Sequence, residues 1–278
     1  MTHDYEKLEL YIDGQWLGAT GRRTEPVLDP STGRTLAQLP HASSQDIEAA
    51  LASARRGFEV WRETPAIERS RIMLKAVAII QSRVDAIAAT VAAEQGKPMT
   101  DARGEVLRAA DMIQFCAEEA RRLYGRVIPS RERGVKQTVI KEPIGPVAGF
   151  TPWNFPAISP ARKLGGALGA GCSLVLKPSE EVPGTAIALV RAFVDAGLPP
   201  GVVNLVFGDP AQISSQLIAS PVIRKIALTG SVPVGKILSE LAGKHMKGAT
   251  MELGGHAPVI ICADADPVAA GRACANAK

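Results

Sequence analysis

The chain has 278 residues, 46% hydrophobic and 22% charged, an ordinary globular composition long enough for one large or two modest domains with a buried core. Its 32 Lys and Arg against 28 Asp and Glu give a net charge of +4 with no run of five basic residues, so the balance gives no argument for nucleic acid. No stretch of about eighteen apolar residues occurs, which argues against a membrane span.

The N-terminal "MTHDYEKLELYIDG" mixes acids and bases without an apolar segment, so no secretory signal is expected. Cys116, Cys172, Cys262 and Cys274 are widely spaced with no C-x-x-C pattern. Free thiols in a reducing cytoplasm are therefore expected, rather than a disulfide framework or a zinc site.

"LYIDGQWLGA" alternates around Asp13-Gly14 and predicts a hairpin with a type I′ turn, and "STG" at 31–33 marks another turn. Three helices are predicted next. The first starts near Ser43, with Asp46 completing a capping box, and runs to about Trp61. The second runs from Ala66 to Glu94, stopped by Gly96–Pro98, and the third from Thr100 to Tyr124. "GVKQTVIKEP" at 134–143 alternates among polar groups and suits an exposed or edge strand, an arm that pairs with another subunit.

From Val147 the pattern changes to short apolar runs alternating with helical segments. Strands are predicted at 147–151, 173–177, 202–207, 225–229, 250–253 and 258–262. Helices are predicted at 157–171, 183–197, 210–219 and 232–247. Repeated β-α-β of this kind predicts an α/β fold with a doubly wound parallel sheet. Ligands on such sheets bind at the carboxyl ends of the strands.

Four stretches fall at those ends. In "LTGSVPVG", Gly230 permits a tight turn, Ser231 can cap a helix and Pro233 suits its first turn, which together form an anion site for a pyrophosphate. A plain strand–helix turn explains the same residues. In "VLKPSEE", Lys177 offers a cation and Glu180 could accept from ribose hydroxyls, an acidic choice favouring NAD over NADP. A polar loop is the competing reading. In "FTPWNFP", two prolines stiffen a loop around Trp153 and Asn154, whose side-chain N–H could meet a developing oxyanion, although in isolation a buried tryptophan loop with a turn-forming Asn is the better reading. In "MELGG", Glu252 is a lone carboxylate in an uncharged run, costly unless paired, hydrogen-bonded or useful.

"TPWNFP", "LVLKPSE", "LTGS…G" and "MELGG", in this order and spacing, resemble the NAD(P)-dependent aldehyde dehydrogenase superfamily over essentially the whole chain. The resemblance implies a Rossmann-like cofactor domain over 1–125 and 142–251, an oligomerisation arm over 126–141 and the start of a truncated catalytic domain over 252–278. It implies that Asn154 stabilises the oxyanion and Glu252 is the general base. Lys177 and Glu180 match the adenosine-ribose contacts, Thr151 and Trp153 line the cofactor cleft, and Gly230 and Ser231 form the pyrophosphate site. Gly208 lies near the adenine and Leu253 by the nicotinamide ribose, with Pro152, Ser179, Thr229, Val234 and Gly235 in the same cofactor-binding set. The implied cofactor is NAD, with NADP as the alternative, and the implied partners are a small aldehyde and further copies of the chain in a homodimer or homotetramer.

In that family a cysteine thiolate attacks the aldehyde, in a segment resembling F-R-N-A-G-Q-x-C after the E-L-G-G strand. "GRACANAK" matches the helix before that segment. Cys274 lacks its context and reads as structural, Cys172 as a small buried residue, Cys116 as a helix-interior and Cys262 as a strand-interior residue. The chain is therefore expected to lack the nucleophile and to be inactive alone. "PARKLGGALGAG" is similar to the succinate-semialdehyde dehydrogenase branch, in which the arginine before the lysine, here Arg162, contacts the substrate carboxylate; an exposed helix arginine is the competing reading. The branch usually has threonine in the preceding turn where this chain reads "ISPARK", so other semialdehydes stay open. Two other functions stay open: a CoA-acylating semialdehyde dehydrogenase, against which Glu252 argues, and a non-catalytic NAD-binding or assembly module. His3, His41, His245 and His256 sit in no setting of a plain Rossmann alcohol dehydrogenase.

Overall fold

The computed structural model describes residues 5–277. The N-terminal hairpin forms as expected: β1 (Leu10–Ile12) pairs with β2 (Gln15–Leu17), and Asp13 and Gly14 both take positive φ, 51° and 81°, as a type I′ turn requires. A second hairpin, β3 (Thr24–Leu28) with β4 (Thr35–Pro40), surrounds the 31–33 turn, where the Asp29 carboxylate accepts from Ser31 and Thr32.

Helix α1 (Ser44–Glu63) starts on the predicted capping box, Ser43 and Asp46 each accepting from the other's backbone N–H. The single helix expected over 66–94 is two, α2 (Ala66–Ser82) and α3 (Val84–Gln95), meeting at 71°. No proline or glycine marks the break. Arg83, at the break, pairs with Asp195 at 2.6 Å. Helix α3 ends on Gly96 in the left-handed conformation, φ 84°. Helix α4 (Met99–Glu119) closes in a short 3₁₀ turn at Ala120–Arg122. The segment expected as one exposed strand is a hairpin with its own partner, β5 (Arg126–Pro129) against β6 (Lys136–Val139), every residue exposed.

The remaining elements alternate: β7 (Val147–Phe150), α5 (Ile158–Gly169), β8 (Leu174–Lys177), α6 (Pro183–Asp195), β9 (Val203–Leu205), α7 (Pro210–Ala219), β10 (Lys225–Gly230), α8 (Val232–Lys244), β11 (Gly248–Leu253) and α9 (Pro267–Asn276). The sheet order is β11-β10-β7-β8-β9-β1-β2, parallel from β11 to β9 and closed by the antiparallel hairpin. Helices α1, α7 and α8 touch in one chain, while α5 and α6 pack under α2, α3 and α4. Strands β7, β8 and β9 are buried throughout, as strands covered on both faces must be.

Residues 258–262 form no strand. An apolar run becomes a strand only where another strand completes its hydrogen bonds, and this one has none among the described residues, so Val259, Ile260 and Ile261 are 65%, 88% and 53% exposed. Cys262 is accordingly exposed, not a strand-interior residue. Cys172 is buried as expected, and Cys116 and Cys274 are half-buried within helices. Among the described residues no single helix is long and apolar enough to cross a membrane; the bent α2–α3 pair meets that length and composition, and buries Met73, Val77, Ile80 and Val91 in the core.

Candidate functional site

The strand ends on one rim carry the residues singled out in the sequence. Beyond β8, Lys177 is buried, its ammonium 2.6 Å from Glu180 Oε2, while Glu180 Oε1 accepts from the Gly208 N–H at 3.0 Å. Burial pushes the Glu180 carboxyl above its usual range, against the lowering effect of Lys177. Lys177, Glu180 and Gly208 are therefore one cluster, built across the ends of β8 and β9. Gly208 sits at φ 135°, a conformation that favours glycine. Ser179 is half-buried beside it and donates to Glu181.

At the end of β10, Ser231 caps α8, its hydroxyl accepting from Val234 N–H at a long 3.5 Å. So loose a cap leaves the first N–H groups of the helix available to an anion. Gly230 ends β10 opposite Leu253 and is not in the left-handed region, so the expected tight turn is not its reason for being glycine. Gly235 also serves packing: a Cβ there would stand 2.6 Å from a Leu253 methyl. Thr151, just past β7, and Thr229, on β10, carry buried hydroxyls with no hydrogen-bond partner among the described residues. Buried polar atoms left open on adjacent strand ends, beside a cation–carboxylate cluster and a weakly capped helix, fit a dinucleotide.

The loop after β7 exposes Trp153, Asn154 and Phe155 and half-exposes Pro152. Two strands away, Glu252 pairs in register with Thr229, and Leu253 with Gly230. Side chains alternate along a strand, so Leu253 reaches α8 while Glu252 points to the opposite face, toward α5. There Glu252 shares a cavity of about 370 Å³ with Arg162, Lys163, Thr250 and Cys172. Lys163, unremarked in the sequence, is only 8% exposed, and burial lowers its ammonium to about 8, opposed by the charge of Glu252 and reinforced by that of Arg162. The structure thus brings Arg162, Lys163 and Glu252 together. Asn154 shares their rim but not the lining of their cavity: β10 intervenes, a spacing of about 10 Å between the outer strands. Cys172 lies at the amino end of β8, away from that rim. Among the described residues no group of three or more His, Cys, Asp or Glu could hold a metal ion.

A mostly parallel, doubly wound sheet with these groups on its carboxyl rim defines a dinucleotide-binding α/β domain. The chain belongs to the aldehyde dehydrogenase family, whose sequence model matches residues 16–278. It is 50% identical, over 94% of its length and 55% of the relative's, to a 4-(hydroxymethyl)benzenesulfonate dehydrogenase of Comamonas testosteroni. It is 41% identical, over 93% of its length and 54% of the relative's, to a succinate semialdehyde dehydrogenase of Acinetobacter baylyi. The crystal structure of succinate-semialdehyde dehydrogenase from Burkholderia pseudomallei matches with a TM-score of 0.93 at 38% identity, covering 96% of this chain and 55% of that one. The chain therefore spans about half the length of the curated relatives it matches. Enzymes of this family act on aldehydes and use NAD or NADP.

Proposed function

We propose that this chain supplies the dinucleotide cleft, the oxyanion amide and the general base of an aldehyde dehydrogenase whose substrate carries a distal anionic group. The observation that carries the reading is the shared cavity of Glu252, Arg162 and Lys163: a carboxylate able to take a proton beside two cations able to fix an anion. In this reading the Asn154 side-chain N–H donates to the aldehyde oxygen as it becomes an oxyanion under attack by a thiolate. Glu252 takes the proton from the water that cleaves the resulting thioester. A nicotinamide cofactor held by the Lys177–Glu180–Gly208 cluster and the start of α8 would supply the hydride acceptor that turns the thiohemiacetal into that thioester. In this reading the attacking thiol is none of the four cysteines, because none stands in the N-A-G-Q context of the family's nucleophile. NAD is the favoured cofactor, because Glu180 would repel a 2′-phosphate. The exposed β5–β6 hairpin is the arm that joins subunits into a homodimer or homotetramer, and residues 252–277, none of them buried, begin the catalytic domain.

Succinate semialdehyde or a similar semialdehyde is the substrate favoured by the relatives bearing that name. The Comamonas relative is named for a benzenesulfonate, and a sulfonate offers Arg162 the same kind of acceptor oxygens. Steady-state kinetics of the full-length protein with succinate semialdehyde, 4-formylbenzenesulfonate and butanal test both readings. Arg162→Ala should raise KM about tenfold or more for the preferred anionic aldehyde and leave butanal unchanged. Equal effects on all three would overturn the anion assignment.

A further inference from the structure

We propose that Lys97 and Glu105, remote in sequence from the strand ends, are the positioning pair that aims Asn154. This rests on the reading of Asn154 as the oxyanion donor. Helix α5 opens without a side-chain cap of its own, at Ala157. Its first N–H groups are met from another helix: Glu105 of α4, fully buried, accepts from Ala157 N–H at 2.8 Å and Ile158 N–H at 3.2 Å through one oxygen. The other oxygen takes Lys97, which reaches in from the turn between α3 and α4. The same ammonium donates to the Asn154 carbonyl at 3.3 Å and lies 4.8 Å from the centroid of the Phe155 ring.

The five residues from Asn154 to Ile158 are thus gripped at both ends by one ion pair. A carbonyl is held at the start, two amides are held at the finish, and the ring between them is covered by the cation. Asn154 itself is exposed, with its side chain free of any hydrogen bond among the described residues, so its direction is set by its backbone. A fully buried carboxylate such as Glu105 is costly to desolvate, a cost offset where its hydrogen bonds and a cation, here the half-buried Lys97, complete it. Here the hydrogen bonds that complete the pair belong to the catalytic loop. Loss of the grip lets the peptide at 154 turn, and a misdirected donor loses the stabilisation of charge that develops only during attack.

The test is the pre-steady-state burst of NADH formation in the full-length protein, with NAD affinity and melting temperature measured alongside. Lys97→Met and Glu105→Gln should each slow the burst about tenfold or more, with the Kd for NAD within about twofold of the parent. Lys97→Arg should recover most of the rate. Combining Lys97→Met with Asn154→Ala should be no slower than Asn154→Ala alone, because the clamp acts only through that amide. A Lys97→Met protein with a lowered melting temperature and an unchanged burst would overturn the proposal, as would multiplicative losses in the double variant. An unchanged burst in Asn154→Ala would instead overturn the oxyanion reading beneath it. Amide exchange at Ala157 and Ile158, which needs no thiol, gives a second readout in the 278-residue chain: Glu105→Gln should speed it, and unchanged exchange would count against the clamp.

Discussion

The two flanks of β10 are built on opposite terms. On one side β7, β8 and β9 are buried throughout, and three charges there are answered at contact distance: Lys177 by Glu180, Lys97 by Glu105, Glu94 by four donors. On the other side, β11 and everything after it have no buried residue, and Glu252 meets Lys163 only across a cavity. Burial without a contact partner is penalised, as the depressed ammonium of Lys163, 8% exposed on α5, shows, whereas an accessible carboxylate such as Glu252 keeps its water. On the proposed function, the paired side is scaffold and cofactor platform, and the open side is where a reacting group can come and go.

The largest effect should come from making the same change on both flanks. A Cβ on Gly57, in α1, would stand 2.1 Å from the Gly201 backbone, which cannot step aside. Gly57→Ala should lose about 3 kcal/mol or more in urea unfolding, despite alanine's better helix propensity of about 1 kcal/mol. A Cβ on Gly254, just past β11, would meet nothing within 4 Å, so Gly254→Ala should stay within about 0.5 kcal/mol. Similar costs at the two positions would erase the contrast.

Next in size is a titration of the buried flank. Glu94 on α3 accepts from Gly184 N–H at 2.8 Å, Thr185 N–H at 2.9 Å, the Thr185 hydroxyl and Tyr5 Oη at 2.6 Å, so it caps α6 from outside. Burial still dominates and raises its carboxyl from 4.5 to about 7. Between those values the folded chain holds a proton that the unfolded chain has lost. This group's contribution is therefore full below pH 4.5 and falls as pH rises to 7, by about 3 kcal/mol at most. Glu94→Gln should flatten that fall in denaturation curves taken between pH 5 and 8. A slope identical to the parent's would place the proton elsewhere.

At the cavity where the two flanks meet the sign is reversed and the effect smaller. Lys163 titrates near 8 when folded and 10.5 when unfolded, so the unfolded chain holds the extra proton in that window and stability rises with pH across it. Lys163→Met should raise stability at pH 7 by about 1–2 kcal/mol, discounted for the partial answer Glu252 provides. No gain, or a loss, would mean that the lysine is paired more fully than its surroundings show.

These contrasts also explain what is legible in the sequence. Turns and caps are local chemistry, so Asp13-Gly14, the Ser43–Asp46 box and the Ser231 start of α8 fall where their residues predict. The β-α alternation after Val147 is legible because burial on both faces makes each strand a continuous apolar run. The α2–α3 break is not, since no proline or glycine marks it and both helices pack on α6, an element far along the chain. Residues 258–262 mislead for the same reason in reverse, having the composition of a strand and no partner. Of the candidate site, Lys177, Glu180 and Gly208 do assemble, while Lys163 and Glu105 stay hidden because a charge on a helix reads as a solvated face until the neighbouring element is known.

The smallest effect is expected at Ile260, 88% exposed between Val259 and Ile261. Three consecutive exposed β-branched residues beside an edge strand form a template for association, because they add apolar surface to unpaired backbone groups. The side chain touches little, so Ile260→Lys should change unfolding stability by less than about 0.5 kcal/mol. The charge should nonetheless oppose self-association, which is a property of the surface rather than of the fold. Light scattering of the 278-residue chain as a function of concentration should therefore fall in Ile260→Lys at an unchanged melting temperature. A drop of several degrees would show that the segment packs against the body of the molecule, and the open flank would then be less open than its exposure indicates.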